Sequence, residues 1–342
     1  MPTIKDVAKE AGVSIATVSY VLNNRNDMVG EQTRQHVLKI ASKLGYKPNI
    51  IARNLQSSKT SLIGYAWHQN PADQPNLVMD QFIYFLAQAA ESANYHLLTF
   101  THPNDDPIAV YDELIRSGRV DGFVLSETTY DDPRIKYLMG KKVPFVSFGR
   151  SNPAWYFNWV DTDGQVGTRL VTEHLLDLGH RRIAFLGWPK YSLTGNHRLA
   201  GYTEALENAN IDLREDFVVH NDYANNSIER AFSYWQSLPA NETPTAVVAV
   251  SDFVAIAAMR IAEQCGYQIG ETMSIAGFDD APFVRYLQSG LTTLRQPWTE
   301  ICQLLINRLD ALIHEEKAPE MNTLVLPELV IRGSTGAPLT DE

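Results

Sequence analysis

The sequence predicts two bodies of different class: a small all-α head carrying a helix-turn-helix, and a larger α/β body built on parallel sheets. Three observations predict it. Residues 3–22 read as two short helices around a glycine turn. From Ser61 onward, strand-like and helix-like segments alternate. Charge is divided unevenly. Residues 1–60 hold nine basic and four acidic residues, +5, while the whole chain, with 29 basic and 40 acidic, stands at −11. The remaining residues therefore carry 20 basic and 36 acidic side chains, −16. A basic head on an acidic body is the asymmetry of a DNA-binding module joined to a domain that does not bind DNA.

In the first helix Ile4, Val7, Ala8 and Ala11 fall at i, i+3, i+4 and i+7, which makes one face apolar. Thr3 and Asp6 have the spacing of a capping box, and Gly12 ends the helix where a positive φ is expected. Ser14 is placed to cap the second helix. There Val18, Val21 and Leu22 share a face, while Ala16, Ser19, Tyr20 and Asn23 point the other way and Ile15 lies on the edge between them. A small, polar face with one aromatic suits a groove, and a helix-turn-helix sets the start of its second helix against base edges. An ordinary αα-hairpin has the same spacing. A third helix is expected over Glu31–Leu44, with Val37, Ile40, Ala41 and Leu44 inward and Gly45 past its end.

Three linked motifs then carry a resemblance: Thr-Ile-x-Asp-Val-Ala from Thr3, Ala-Gly-Val-Ser-x-x-Thr-Val-Ser-x-Val-Leu-Asn from Ala11, and Leu-Gly-Tyr-x-Pro-Asn-x-x-Ala-Arg-x-Leu from Leu44. Residues 3–55 resemble the DNA-binding head and hinge of the lactose-repressor (LacI/GalR) family. One departure is Gly30, where the family usually has a Ser cap; glycine also serves there. The resemblance implies a helix-turn-helix domain over 1–46 and a hinge helix and linker over 47–60. Ile50–Leu55 allow little more than one turn, too short to be stable alone. The hinge is therefore expected to fold when two copies meet on DNA. Leu55 matches the family residue that wedges into the minor groove. By the same resemblance Ile15, Ala16 and Tyr20 contact base edges, while Thr17, Ser19 and Asn24 hold phosphates, with Arg53 supporting them at the hinge. Thr3, Ser14, Asn49 and Ala52 complete the expected DNA-binding set.

Composition bounds the rest. A chain of 342 residues exceeds one average domain. Cys265 and Cys302 are too few and too scattered for a disulfide framework or a zinc site, and they fit a reducing cytoplasm. No apolar run spans a membrane, and the start is amphipathic rather than a signal peptide. Neither a nucleophile elbow nor a phosphate loop nor a dinucleotide fingerprint is present, and no metal spacing appears, so no enzyme activity, cofactor or metal is expected. Asp105-Asp106 and Asp131-Asp132, each close to a proline, read as solvated turns.

In the body, strands are expected at Leu62–Trp67, His96–Phe100, Gly122–Leu125, Phe145–Phe148, Ile183–Leu186, Ala246–Val250, Ser274–Phe278 and Thr292–Leu294. Helices are expected at Phe82–Ala93, Gln165–Leu178, Leu199–Asn208 and Asp252–Cys265. The resemblance extends over nearly the whole chain, through Val160-Asp161-x-Asp163, His174-Leu175-x-x-Leu178-Gly179-His180, Arg198-x-x-Gly201-Tyr202, Ser251-Asp252 and Gly277-Phe278-Asp279-Asp280. It implies a two-lobed body over 61–335, similar to a type I periplasmic sugar-binding protein, with ligand in the cleft. Lobe one is expected at about 61–160 plus 292–320, and lobe two at about 161–291 plus 321–335.

Ligands of open α/β sheets sit beyond the carboxyl ends of strands, which selects Trp67, Arg150, Ser251, Asp252 and Asp279. A polyol needs charged groups that exchange hydrogen bonds with hydroxyls, and flat surfaces for its C–H faces. Arg150, Arg198 and Asp279 offer the first; Trp155, Trp188 and Trp298 offer the second, with core packing an equal alternative for each tryptophan. By resemblance Arg198 grips sugar hydroxyls, Asp279 is a pocket aspartate and Trp298 a pocket aromatic, while Ser251 stands where Asn is common. His174 and His180 belong to a structural motif.

The expectation is a cytoplasmic, homodimeric transcription regulator, a repressor of carbohydrate-utilisation genes. It reads a palindromic double-stranded operator and is controlled by a small sugar. The alternative is a purine- or nucleoside-responsive regulator of the same architecture. An exported solute-binding protein and a sugar-processing enzyme are the rivals from other classes. The tail after Gly336 is too short for a heptad tetramer segment, so a dimer is favoured.

Overall fold

A computed structural model describes residues 2–22, 28–46, 59–67, 77–103, 105–221, 226–316 and 321–339. The chain divides into two units, Met1–Thr60 and Ser61–Glu342. Residues 47–58 of the expected hinge and linker, and with them Asn49, Ala52, Arg53 and Leu55, lie outside the described residues, as does Asn24.

The first unit packs α1 (Ile4–Ala11), α2 (Ile15–Leu22) and α3 (Glu31–Lys43) around Val7, Ala8, Ala11, Val18, Val21, Val37 and Ala41. These are the inward positions that the helical spacing selects. At the start of α1 the Asp6 carboxylate accepts from the Thr3 amide at 2.7 Å and from its hydroxyl at 2.8 Å. Both α1 and α3 stop on a left-handed glycine, Gly12 at φ 64° and Gly45 at φ 63°. In each, the amide just after that glycine reaches back into the helix: Val13 to the Ala8 carbonyl at 3.1 Å, Tyr46 to Ala41 at 2.9 Å.

The body holds two parallel sheets. In chain order its elements are β1 (Leu62–Trp67), α4 (Leu77–Ser92), β2 (His96–Thr101), α5 (Ala109–Arg116), β3 (Gly122–Leu125), α6 (Pro133–Lys141), β4 (Phe145–Phe148), β5 (Trp159–Thr162), α7 (Gly164–Asp177), β6 (Ile183–Gly187), α8 (Leu193–Asn208), β7 (Val218–His220), α9 (Ser227–Ser237), β8 (Ala246–Ala249), α10 (Asp252–Gln264), β9 (Ser274–Ala276), β10 (Thr293–Arg295), α11 (Trp298–Ile313), β11 (Asn322–Val325) and β12 (Glu328–Val330). The first sheet runs β11-β5-β4-β3-β1-β2 and the second β7-β6-β8-β9, with β10 and β12 forming a small antiparallel pair.

Alternation across each strand builds a core on both faces. From β3, Val124 enters the core shared with Phe82, Leu86, Ile301 and Leu305 of α4 and α11, while Phe123 and Leu125 enter the opposite core with Tyr111 and Leu138 of α5 and α6. The second sheet is covered by α7 to α10, through residues such as Val171, Tyr202, Trp235 and Val254.

Four strands escape the sequence reading: β5, β7, β11 and β12 are three or four residues long, and their short apolar runs give no periodic signal. One strand changes lobe. β11, expected with the second lobe, pairs in parallel with β5, Leu324 opposite Asp161, and closes the edge of the first sheet. Residues 331–336 do return to the second sheet, where the Ser334 hydroxyl donates to the Ile275 carbonyl at 2.6 Å. Helix α8 begins at Leu193 rather than Leu199, because Ser192 caps it by accepting the Gly195 amide at 3.1 Å.

Candidate nucleic-acid interface and effector site

In the head, Ser14 caps α2, its oxygen accepting the Thr17 amide at 3.0 Å. The opening turn therefore presents Ile15, 46% exposed, and Ala16 to solvent, an apolar edge that the three-helix core leaves uncovered. Thr17, Ser19 and Tyr20 are half-buried along the same helix, and Thr3 is exposed beside α1. Lys5, Lys9, Lys39 and Lys43 are exposed. Lys43 also meets Glu10 at 3.1 Å, tying α3 to α1.

In the body the structure brings several expected residues into one buried polar cluster. Arg198, on α8, is 4% exposed. Its guanidinium carbon lies 3.5 Å from the centre of the Phe278 ring and 5.2 Å from that of Trp188. Its Nη1 donates to the Val250 carbonyl, and Nη2 stands 3.8 Å from Asp279, beyond hydrogen-bond reach. Among the described residues its Nε has no partner. Burial lowers the pKa of Arg198, while the charges of Asp279, Asp161 and Asp252 oppose that shift.

Asp279 follows β9 with φ 126°, a conformation side chains rarely adopt. Its carboxylate accepts the Gln296 amide at 2.8 Å, and Gln296 in turn accepts the Thr162 hydroxyl at 2.6 Å. Burial pushes Asp279 up to about 6, against the pull of Arg198 and Gln296. Arg150 follows β4 and pairs with Asp161 of β5 at 2.8 Å. Burial raises Asp161 despite that pairing. His197 is driven down to about 4 by burial and then by the Arg150 charge, and its Nδ1 has no partner among the described residues.

The other expected residues are placed differently. Ser251 caps α10, accepting the Val254 amide at 3.3 Å. Asp252 accepts the Ala281 amide at 2.7 Å on one oxygen and the Thr293 hydroxyl on the other, so it clamps the loop after β9. Asp280 is held by Arg295 at 2.7 Å and Arg332 at 2.6 Å, which keep it below the ordinary carboxylate value although burial acts to raise it. Trp298 is buried against Phe82 and Phe148, with its indole nitrogen unpartnered among the described residues. Trp67 packs edge-to-face on Tyr65 at 6.0 Å, and Trp155 packs against the core under α5 and α6. His174 bonds Thr335 at 3.0 Å, and His180 bonds Thr245 at 2.8 Å and Ser274 at 3.0 Å.

Sequence reasoning missed Asp161, Thr162, Gln296 and His197 as members of the cluster. Asp161 was visible within Val160-Asp161-x-Asp163, whereas Gln296 carries no signal until β10 is placed. One reading is overturned. Asp132 is no solvated turn residue: it is 1% exposed and forms a two-pronged pair with Arg134, at 2.7 and 3.0 Å. The turn pattern conceals this because the burial comes from an arginine two residues on.

Residues 3–49 match the pattern of bacterial regulatory proteins of the lacI family, and residues 172–335 that of the periplasmic binding protein-like domain. The chain is 31% identical over 338 residues to the HTH-type transcriptional repressor PurR of Proteus mirabilis, covering 98% of this chain and 97% of that one. Similar solved structures include a LacI-family regulatory protein from Chloroflexus aggregans, at 40% identity and TM-score 0.75 over 81% of this chain and 99% of that one. The transcriptional regulator CelR–cellobiose complex is 27% identical with TM-score 0.72, over 98% and 100% of the two chains. The lac repressor dimer bound to operator and the anti-inducer ONPF is 27% identical with TM-score 0.77, over 98% and 99%.

Proposed function

Because the chain belongs to the lacI family of bacterial regulatory proteins, a family of DNA-binding transcription regulators, we propose that it is a cytoplasmic, dimeric repressor whose grip on a palindromic operator is set by a small polar effector. Each head reads one half-site with Ile15, Ala16 and Tyr20, the first two by apolar contact with thymine methyls. Thr17, Ser19, Asn24 and the hinge residues Asn49, Ala52 and Arg53 set register on the backbone, and Leu55 wedges the minor groove. Steered by phosphates, this binding weakens steeply with salt.

The observation that supports control by an effector is Arg198. It is sealed from water on an aromatic ring, its carboxylate partner stands too far off to bond, and one of its donors is unused among the described residues. A ligand oxygen at that donor completes the hydrogen bonding. Arg150, Asp279, Trp188 and Trp298 complete the proposed site; Ser251 and Asp252 act as supports, since their oxygens are engaged by the fold. The effector shifts operator affinity only through its differential affinity for two arrangements of the lobes.

Two effector classes fit. A purine or nucleoside has the broader support from relatives, since the PurR match runs the length of the chain at 31% identity. A sugar is supported by the likeness to the cellobiose complex of CelR, and by carboxylates and arginines suited to hydroxyl pairs. Calorimetry of the purified protein with cellobiose, glucose and the purine bases adenine, guanine and hypoxanthine separates them. Heat from one class alone assigns it, and binding of neither refutes both. Selection of duplexes from a random pool tests the DNA half; recovery of no palindrome contradicts it.

A further inference from the structure

Asp132 and Arg134 lie at the carboxyl end of β3, at the opening of α6, and their bonds go to loop backbone rather than to the core. Arg134 Nη2 donates to the carbonyls of Ser126 at 3.0 Å and Glu127 at 3.3 Å as well as to Asp132. Asp132 accepts the Thr129 amide at 3.3 Å, and its own amide donates to the Ser151 hydroxyl oxygen at 3.3 Å. The Ser151 hydroxyl donates back to the Thr129 carbonyl at 2.7 Å, and the Thr128 hydroxyl donates to the Arg150 carbonyl at 2.7 Å. A Cβ on Gly149 would sit 2.8 Å from that Thr128 oxygen, so the two loops are in close contact. Arg150 is therefore held at two successive points: its own carbonyl by Thr128, and its successor, Ser151, by the Asp132 loop.

We propose that the Asp132–Arg134 pair is the positioning element of the effector site in lobe one: it locks the 126–132 loop onto residues 149–151 and so aims the Arg150 guanidinium at Asp161. The pair acts through Arg150 and touches no ligand itself. Its bearing on effector binding rests on the reading of Arg150 as an effector contact. Both partners are almost fully buried, so the pair is not screened by solvent. Burial acts to raise Asp132, yet the Arg134 hydrogen bond and charge hold it below the ordinary carboxylate value, which keeps the clamp ionised. Lysine retains the charge but loses the planar fork that bonds a carboxylate and two carbonyls together.

The experiment uses the full chain and two readouts. The first is hydrogen exchange of the Arg150 Nε–H, assigned in a nitrogen-15 spectrum by its disappearance in Arg150→Lys. In Arg134→Lys, and in the milder Thr128→Val/Ser151→Ala variant that keeps the ion pair and severs the relay, exchange is expected to quicken roughly tenfold or more, the loss of one charge-assisted bond. Ile135→Val, on the same helix, is expected to lower the melting temperature without changing that exchange. Unchanged exchange in folded relay or Arg134→Lys protein overturns the proposal. The second readout is calorimetry with cellobiose and with adenine, guanine and hypoxanthine. Whichever binds is expected to lose about tenfold in affinity in Arg134→Lys, non-additively with Arg150→Lys. Additive losses overturn the link between the two residues. If Arg150→Lys binds every probe as the wild type does, the effector reading of Arg150 fails, while exchange still decides whether the clamp positions it.

Discussion

Two buried arginine–aspartate pairs sit in the same body and are built to opposite ends. In lobe one, Arg134 meets Asp132 through two contacts of 2.7 and 3.0 Å, and its remaining reach is taken up by carbonyls. In lobe two, Arg198 lies flat on Phe278 with Asp279 at 3.8 Å and an unpartnered Nε among the described residues. The first is closed and the second is open. Burial pushes against ionisation in both, but only the closed pair overcomes it: Asp132 is held low, Asp279 rises to about 6. A closed pair is a fastener. An open one leaves hydrogen-bonding capacity unused.

The largest contrast is expected from removing each arginine. Arg134→Met strands a buried carboxylate and should lower the unfolding free energy by about 3–5 kcal/mol in denaturant titration. Arg198→Met should cost roughly 1–2 kcal/mol, because Asp279 needs little further shift to become neutral at pH 7. It should still abolish effector heat in calorimetry. Equal destabilisation of the two would break the distinction.

A second difference lies in pH. The folded state holds the Asp279 proton more tightly than the unfolded chain does. Its contribution is complete below the ordinary value of 3.8 and is lost as the pH rises through about 6. Asp132 contributes in the reverse sense, above its ordinary value, and is lost on acidification. Asp279→Asn should therefore flatten the melting temperature between pH 4 and about 6, while Asp132→Asn should lower it throughout that range. Melting curves across the range check both signs.

The smaller effects concern neighbours. Ser251→Ala removes a cap and should cost about 1 kcal/mol, with effector affinity changing little if Ser251 only supports the loop. Asp131→Asn is expected to stay within about 0.5 kcal/mol of wild type, since that side chain is exposed and asparagine tolerates its φ of 56°. Adjacent in sequence, Asp131 is thus expected to be near-silent where Asp132 is not.

The head was legible because its signals are local: Thr3, Gly12, Ser14 and Gly45 act within a turn of where they stand. Arg198 and Asp279 were legible through motifs that fix them at strand and helix ends. Gln296 was not, because its bond to Thr162 joins residues 134 apart. The Asp-Asp-Pro-Arg run was misread for a related reason. Local turn chemistry accounts for Asp131, while Asp132 depends on Ser151 from another strand's loop. Short strands failed in the same way: β11 makes sense only once β5 offers an edge.

That late strand bears on how the body is made. β11 supplies the border of the first sheet, β12 pairs with β10, and Ser334 and Gly336 fasten onto the strand at Ser274–Ala276. A nascent chain thus keeps both lobes unfinished, with the edge of β5 bare, until its last strands leave the ribosome. Until then that edge is an open template for pairing with another growing chain.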